Sequence, residues 1–223
     1  MKVLAIDTAT ERCSVALRSG GAVHVRSIDT ARAHADTVLP LIEEVLGEAG
    51  LTLRELDGIA YGRGPGAFTG VRIAVGVVQG LAFGARLPTV GISNLAAVAQ
   101  QVASPGDRIL VCMDARMGEV YWTTFACDAT TGLVIAQGEE QVGRPETVTV
   151  AAALNKVAGT GFRAYPQLVS AYGNLILHDD VLPRAIEIAL LGAAELAAGR
   201  GKAAVEAQPV YVRDNVAVAK RPS

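Results

Sequence analysis

Tyr61-Gly-Arg-Gly-Pro-Gly-Ala-Phe-Thr-Gly-Val-Arg-Ile-Ala-Val-Gly-Val-Val-Gln-Gly-Leu-Ala-Phe-Gly84 is the stretch that decides how this chain folds, and it holds seven of the 24 glycines. Gly62, Gly64 and Gly66 alternate with Arg63 and Pro65, a mixture that reads as an open loop. Beyond it the chain becomes helical. Thr69 is a candidate N-cap, and Val71, Val75, Val78 and Ala82 form an apolar stripe at helical spacing. Gly76, Gly80 and Gly84 recur at i, i+4 and i+8 on another side. A glycine inside a helix is less stable than alanine by roughly 0.8–1 kcal/mol, so three on one face imply a second backbone packed close against them. A loop that opens onto a helix N-terminus is also able to hold an anion on its amides. The segment therefore offers two uses, a phosphate cradle and a helix-packing face.

Outward from this stretch the chain reads as α/β. Lys2–Ile6 is a buried strand ending at Asp7, and Cys13–Leu17 and Ala22–Ile28 form a hairpin through Ser19-Gly20-Gly21. Leu39, Ile42, Val45, Leu46 and Ala49 mark a helix that Gly50 ends, with Pro40 in its first turn or inside a longer helix starting near Ala33. Gly58–Tyr61 is a strand entering the glycine loop, Pro88–Ile92 is another, and Ser93 caps a helix to about Ala103. Ser104-Pro-Gly-Asp107 is the clearest break. Beyond it Arg108-Ile-Leu-Val-Cys-Met-Asp114 echoes Lys2-Val-Leu-Ala-Ile-Asp7, about 106 residues on. Strands at 119–125 and 133–142 follow, as they do after Asp7. The echo predicts a duplicated domain, residues 1–105 and 106–223. Within the second half, 146–157 and 184–198 read as helices, 158–161 as a turn and 175–178 as a strand. Pro209-Val-Tyr-Val-Arg213 reads as a tail that docks, with the last residues through Pro222 and Ser223 frayed.

Composition limits the function. Hydrophobic residues make up 51% of the 223 and aromatics 4%, so the core is aliphatic, and a net charge of −2 argues against this chain alone gripping nucleic acid. The three cysteines, Cys13, Cys112 and Cys127, lie in apolar runs and read as buried small hydrophobes in a reducing compartment. No leader precedes the first strand and no run reaches the 18 or so apolar residues of a membrane span, which predicts a soluble intracellular protein. His24, His34 and His178 stand far apart without metal-ligand spacing. Gly-x-Ser-x-Gly and the Walker glycine loop are both missing, since Val71 follows Gly70 where that loop has lysine. Asp7 and Asp114, each at a strand end before a turn, are the candidates for phosphate or metal contact, with Thr8 and Arg116 beside them. Against that stands the plain reading that each Asp hydrogen-bonds its own turn.

Ala5-Ile-Asp-Thr-Ala-Thr-Glu11, Cys13-Ser-Val-Ala-Leu17, Tyr61–Ile73, Asp114-Ala-Arg-Met-Gly-Glu-Val-Tyr-Trp122 and Pro209-Val-Tyr-Val-Arg213 together resemble the TsaB (YeaZ) family, over nearly the whole chain. The resemblance implies a duplicated actin-like (ASKHA, ribonuclease H-like) two-lobe fold. It implies an accessory subunit, cytoplasmic and without membrane contact, for transfer of threonylcarbamoyl to adenosine 37 of ANN-decoding tRNAs. Its partners would be the transferase TsaD and the ATPase TsaE, with a homodimer when alone and tRNA met only through the complex. ATP, magnesium and metal would belong to those partners. The catalytic relatives carry a His-x-x-x-His pair where this chain has Ser93-Asn-Leu-Ala-Ala-Val-Ala-Gln100, so no catalytic or metal residue is carried over. The partner interface it implies is a paired helical face, here Leu39, Ile42, Leu46, Gly76, Val77, Gly80, Leu81 and Gly84. Asp7, Thr8, Asp114 and Arg116 would be vestiges of the phosphate loops. The competing reading is an ATP-dependent actin-fold phosphotransferase working through Asp7 and Asp114.

Overall fold

The computed structural model describes residues 1–29, 33–150 and 153–213. Its first sheet has strand order β3-β2-β1-β4-β5, built from β1 (Lys2–Asp7), β2 (Arg12–Ser19), β3 (Ala22–Asp29), β4 (Gly58–Gly62) and β5 (Thr89–Ile92). β1, β2 and β3 are antiparallel neighbours, and β4 and β5 add in parallel on the far side of β1. Helix α1 (His34–Ala49) follows β3, α2 (Phe68–Ala85) joins β4 to β5, and α3 (Asn94–Val102) follows β5.

The second half repeats this plan. β6 (Arg108–Arg116), β7 (Glu119–Cys127) and β8 (Val134–Ala136) are antiparallel, with β9 (Gln141–Gly143) also on β7. β10 (Lys156–Ala158) and β11 (Ile176–His178) then add in parallel beyond β6, so the order β8-β7-β6-β10-β11 matches that of the first sheet. α4 (Thr160–Ala164) and α5 (Pro166–Tyr172) lie between β10 and β11, and α6 (Ala185–Ala197) follows β11. The short echo around Asp7 and Asp114 is thus the trace of a whole duplicated topology.

The boundary expected near residue 105 separates the sheets but not the packing. α3, from the first half, lies on β6, β7 and β8, whereas α6, from the second half, lies on β1, β2 and β4. The exchange makes one shared layer between the sheets, and a single core cluster runs from Val3 and Ala60 through Leu95 and Ile188 to Ile109 and Phe125. Outside it, α1 and α2 cover the other face of the first sheet through Leu4, Ile42, Val45 and Val78. α4 and α5 cover the second sheet through Leu110, Trp122, Phe162 and Leu168. Two lobes joined this way share apolar burial, the main force for folding.

Several local expectations change. Among the described residues of 146–157 there is no α-helix: a short 3-10 turn at Pro145–Thr147 precedes strand β10, whose three residues carry too little pattern to signal themselves. The turn expected at 158–161 opens α4 instead, and α5 begins at Pro166, a residue suited to a first helical turn. α1 takes the longer form, with Pro40 inside it. Thr69 does not cap α2; the cap residue is Ala67 with no side-chain bond, and Thr69 lies in the first turn. By length and composition α2 would pass for a membrane span (18 residues, mean hydropathy 1.4), which amends the expectation that nothing in the chain reaches that size. The last residues, with Pro222 and Ser223, lie outside the described residues.

Candidate functional site

The glycine loop spends its first glycines inside the chain. A Cβ on Gly70 would collide with the carbonyl oxygen of Thr8, and one on Gly62 with the carboxylate of Asp7. The close approach is locked by hydrogen bonds: Thr8 Oγ1 donates to the Gly70 carbonyl at 2.7 Å, and Ala67 N donates to the Ala9 carbonyl at 2.7 Å. The loop therefore lies directly on the turn after β1. Asp7 and Thr8 are both fully buried. Both therefore lie beneath this chain's own backbone, out of contact with solvent.

Asp7 is sealed in a small polar network. Asn94 Nδ2 donates to its Oδ1 at 2.6 Å, Ala9 N donates to the same oxygen at 3.4 Å, and Asn94 Oδ1 accepts from Gly64 N at 2.8 Å. Oδ2 has no partner. Burial pushes the carboxyl up to about 7, against the opposing pull of the Asn94 and Ala9 donors. Asn94, which ties the loop to the strand end, gave no signal in the sequence because it stands just inside a helix that Ser93 visibly caps.

Asp114 behaves as the plain reading expected. Its Oδ1 accepts from Arg116 N at 2.8 Å and from Tyr165 OH at 3.0 Å, and Oδ2 pairs with Arg116 Nη1 at 3.1 Å. Arg116, Met117 and Gly118 form the hairpin tip with φ of 61°, 55° and 79°. Asp114 and Arg116 line a cleft of about 860 Å³ between the lobes, together with the first turn of α2 and Thr160. Asp7 is not on its wall. Of the two aspartates only Asp114 lines the cleft, and among the described residues no three His, Cys, Asp or Glu side chains cluster as metal ligands.

One wall of the cleft is a strap, residues 207–213, which docks as its apolar beginning suggested. Tyr61 OH accepts from Gln208 N at 3.0 Å, Val210 N donates to the Arg63 carbonyl at 2.8 Å, and Gln79 Nε2 donates to the Ala207 carbonyl at 2.8 Å. Arg213 then crosses to the second lobe, where it donates to the Ala115 carbonyl at 3.2 Å and pairs with Glu119. Arg63 itself bridges the halves through a bidentate pair with Glu140 at 3.0 Å.

The later glycines face the other way. Gly76, Gly80 and Gly84 meet nothing within 4 Å of where a Cβ would stand. Among the described residues no backbone packs there, so none of them is the close neighbour their spacing implies. Around them Val77 and Leu81 are half-buried, Phe83 is 80% exposed, and Leu39 on α1 is 47% exposed. Ile42 leaves the expected interface: it is 3% exposed and belongs to the core beneath α1, with Leu46 half-buried at that core's edge. Helical spacing alone could not separate the inner positions of α1 from the outer ones.

Comparison with known proteins agrees with this architecture. Residues 17–173 match the TsaD family, tRNA N6-adenosine threonylcarbamoyltransferase. The Escherichia coli tRNA threonylcarbamoyladenosine biosynthesis protein TsaB is 41% identical, covering 100% of this chain and 99% of its own. Its Haemophilus influenzae counterpart is 38% identical over 100% and 98%. YeaZ from Pseudomonas aeruginosa superposes with a TM-score of 0.84 at 39% identity, covering 94% of this chain and 99% of that one. A second structure, described as an uncharacterized protein with similarity to the peptidase YeaZ from the same organism, gives 0.86 at 40% over 95% and 99%. Identity of this level over both halves means that the chain belongs to the TsaB family of tRNA threonylcarbamoyladenosine biosynthesis proteins.

Proposed function

We propose that this member of the family is the non-catalytic subunit of the threonylcarbamoyl-transfer machinery, acting by docking and positioning the transferase. The observation that carries the reading is the outward stripe Gly76–Gly80–Gly84, which leaves one side of α2 open to a close helical approach. Flanked by Val77, Leu81, Phe83 and Leu39, it suits a partner helix at short range. The TsaD-type transferase is the partner in the working complex, a second copy covers the face when the chain is alone, and the ATPase TsaE joins the assembly. Adenosine 37 of ANN-decoding tRNAs is the acceptor, reached through the complex in the cytoplasm, with ATP, magnesium and metal held by the partner subunits. The sealed Asp7 supports this reading over an ATP-dependent phosphotransferase working through Asp7 and Asp114.

Gly80→Leu tests it. Position 80 has room in the single chain, so the variant keeps its fold, and any loss reports on what covers the face. Affinity for the transferase subunit is expected to fall by the equivalent of about 1–3 kcal/mol, as in overpacked contacts. An unchanged dissociation constant, with modification of tRNA proceeding normally in a reconstituted system, refutes the placement. Heat of Mg–ATP binding to the isolated chain would favour the phosphotransferase reading instead.

A further inference from the structure

The outward stripe of α2 continues beyond Gly76 toward the N-terminus. The same four-residue spacing places Arg72 and then Phe68 on that face. The Arg72 guanidinium lies 3.5 Å from the centre of the Phe68 ring and 5.5 Å from that of Tyr211, a residue of the strap. Its Nε donates to the Tyr211 hydroxyl at 2.7 Å, and the two rings are 5.7 Å apart. Both rings are about half exposed, 49% and 46%. Arg116, Arg163 and Arg213, which line the cleft, and Arg63 in the glycine loop each have a carboxylate partner. Arg72 is held by its stack and by one hydrogen bond, and no acidic group pairs with it among the described residues.

A planar cation fixed on aromatic faces with its terminal nitrogens unpaired is shaped to receive a planar anion in a bidentate pair. The geometry points to Phe68–Arg72–Tyr211 as a recognition patch for a carboxylate side chain on the protein partner that covers the glycine stripe. This rests on the docking reading above, since Arg72 is the next position of the same stripe. A second copy docked α2 against α2 is a poor source of that carboxylate. α2 carries no Asp or Glu over Phe68–Ala85, and Arg86 follows its last turn, so pairing of two α2 helices offers Arg72 no acid and, when antiparallel, brings Arg86 near it. The occupant is a different protein, with an acidic side chain at the edge of its docking helix. Tyr211 belongs to the strap that reaches the second lobe through Arg213, so this partner touches both α2 and the strap that joins the lobes.

The test measures affinity of the full chain for the TsaD-type transferase subunit by calorimetry, at low and high salt, with circular dichroism to check folding. Arg72→Glu is expected to weaken binding by about tenfold or more, and most strongly at low salt. Arg72→Lys recovers only part of it, because an ammonium lacks the fork. Tyr211→Phe, which keeps the ring but not the hydroxyl, gives a loss of a few fold, and self-association of Arg72→Glu in sedimentation stays close to wild type. If Arg72→Glu binds within about twofold of wild type while Gly80→Leu binds weakly, the carboxylate patch is wrong and the docking face stands. If neither variant loses affinity, the docking face falls as well. If Arg72→Glu keeps its affinity for the subunit but weakens tRNA binding by the assembled complex, the patch meets phosphate and the proposal is overturned.

Discussion

Asp7→Asn isolates the cost of holding a carboxyl under the glycine loop. Asp7 is fully buried, has one oxygen without a partner, and has its pKa pushed up to about 7 from 3.8, burial being the largest cause. In the unfolded chain the group ionises near 4, whereas in the folded chain it keeps its proton to about 7. Between those values the folded state binds the extra proton, so stability falls as pH rises. The contribution is fully present below pH 4 and gone above about 7. A separation of about 3 pH units at about 1.4 kcal/mol each amounts to roughly 4 kcal/mol. Asparagine keeps the oxygen that accepts from Asn94 and cannot ionise. Urea unfolding of both proteins at pH 5, 6, 7 and 8 gives the difference directly, since the other titrating groups cancel. The variant is expected to gain on wild type steadily up to pH 7 and to level off beyond it. Parallel stability curves for the two proteins across that range would refute the burial argument.

The remaining expectations concern the same joints. Gly70→Ala drives a methyl into the Thr8 carbonyl and is expected to lower stability by about 1–3 kcal/mol, read as a fall in urea midpoint with an unchanged slope; no shift would mean the loop relaxes freely. Lys156→Met removes the ammonium that pairs with Asp107 at 2.6 Å and donates to the Val102 carbonyl at 2.8 Å, where both side chains are nearly buried. Leaving that carboxylate without its cation costs about 3–5 kcal/mol by thermal or urea unfolding. The loss should shrink in Lys156→Met/Asp107→Asn, which no longer buries a charge, and equal losses in single and double variants would count against the pairing.

How much of this was legible in the sequence differs by element. The strand–Asp–turn echo at Lys2–Asp7 and Arg108–Asp114 was enough to expect a repeat, because strand periodicity and a polar end are local properties. α6 was clear for the same reason, with its apolar spacing and the glycines after it. β10 was hidden: three residues buried in the middle of a sheet carry no alternation, and what makes them a strand is pairing with Ile109–Val111. Asn94 and the Phe68–Arg72–Tyr211 stack were equally invisible. Their partners are 87 and 139 residues away in the chain, as with Asp7 and Tyr211, and no spacing rule links them.

By itself the sequence determined the α/β class, the duplication, the aliphatic core, the missing histidine pair, and the family to which the chain belongs. It also showed that the glycines came in two groups, without showing what either group touches. Only the tertiary structure decided that the early group packs on the turn after β1 while the late group meets no described neighbour. It decided too that α3 and α6 trade sheets, and that the strap bridges the lobes. The reason is physical: spacing along the chain specifies which residues share a face, but which face is covered, and by what, is settled when distant segments compete for the same buried surface.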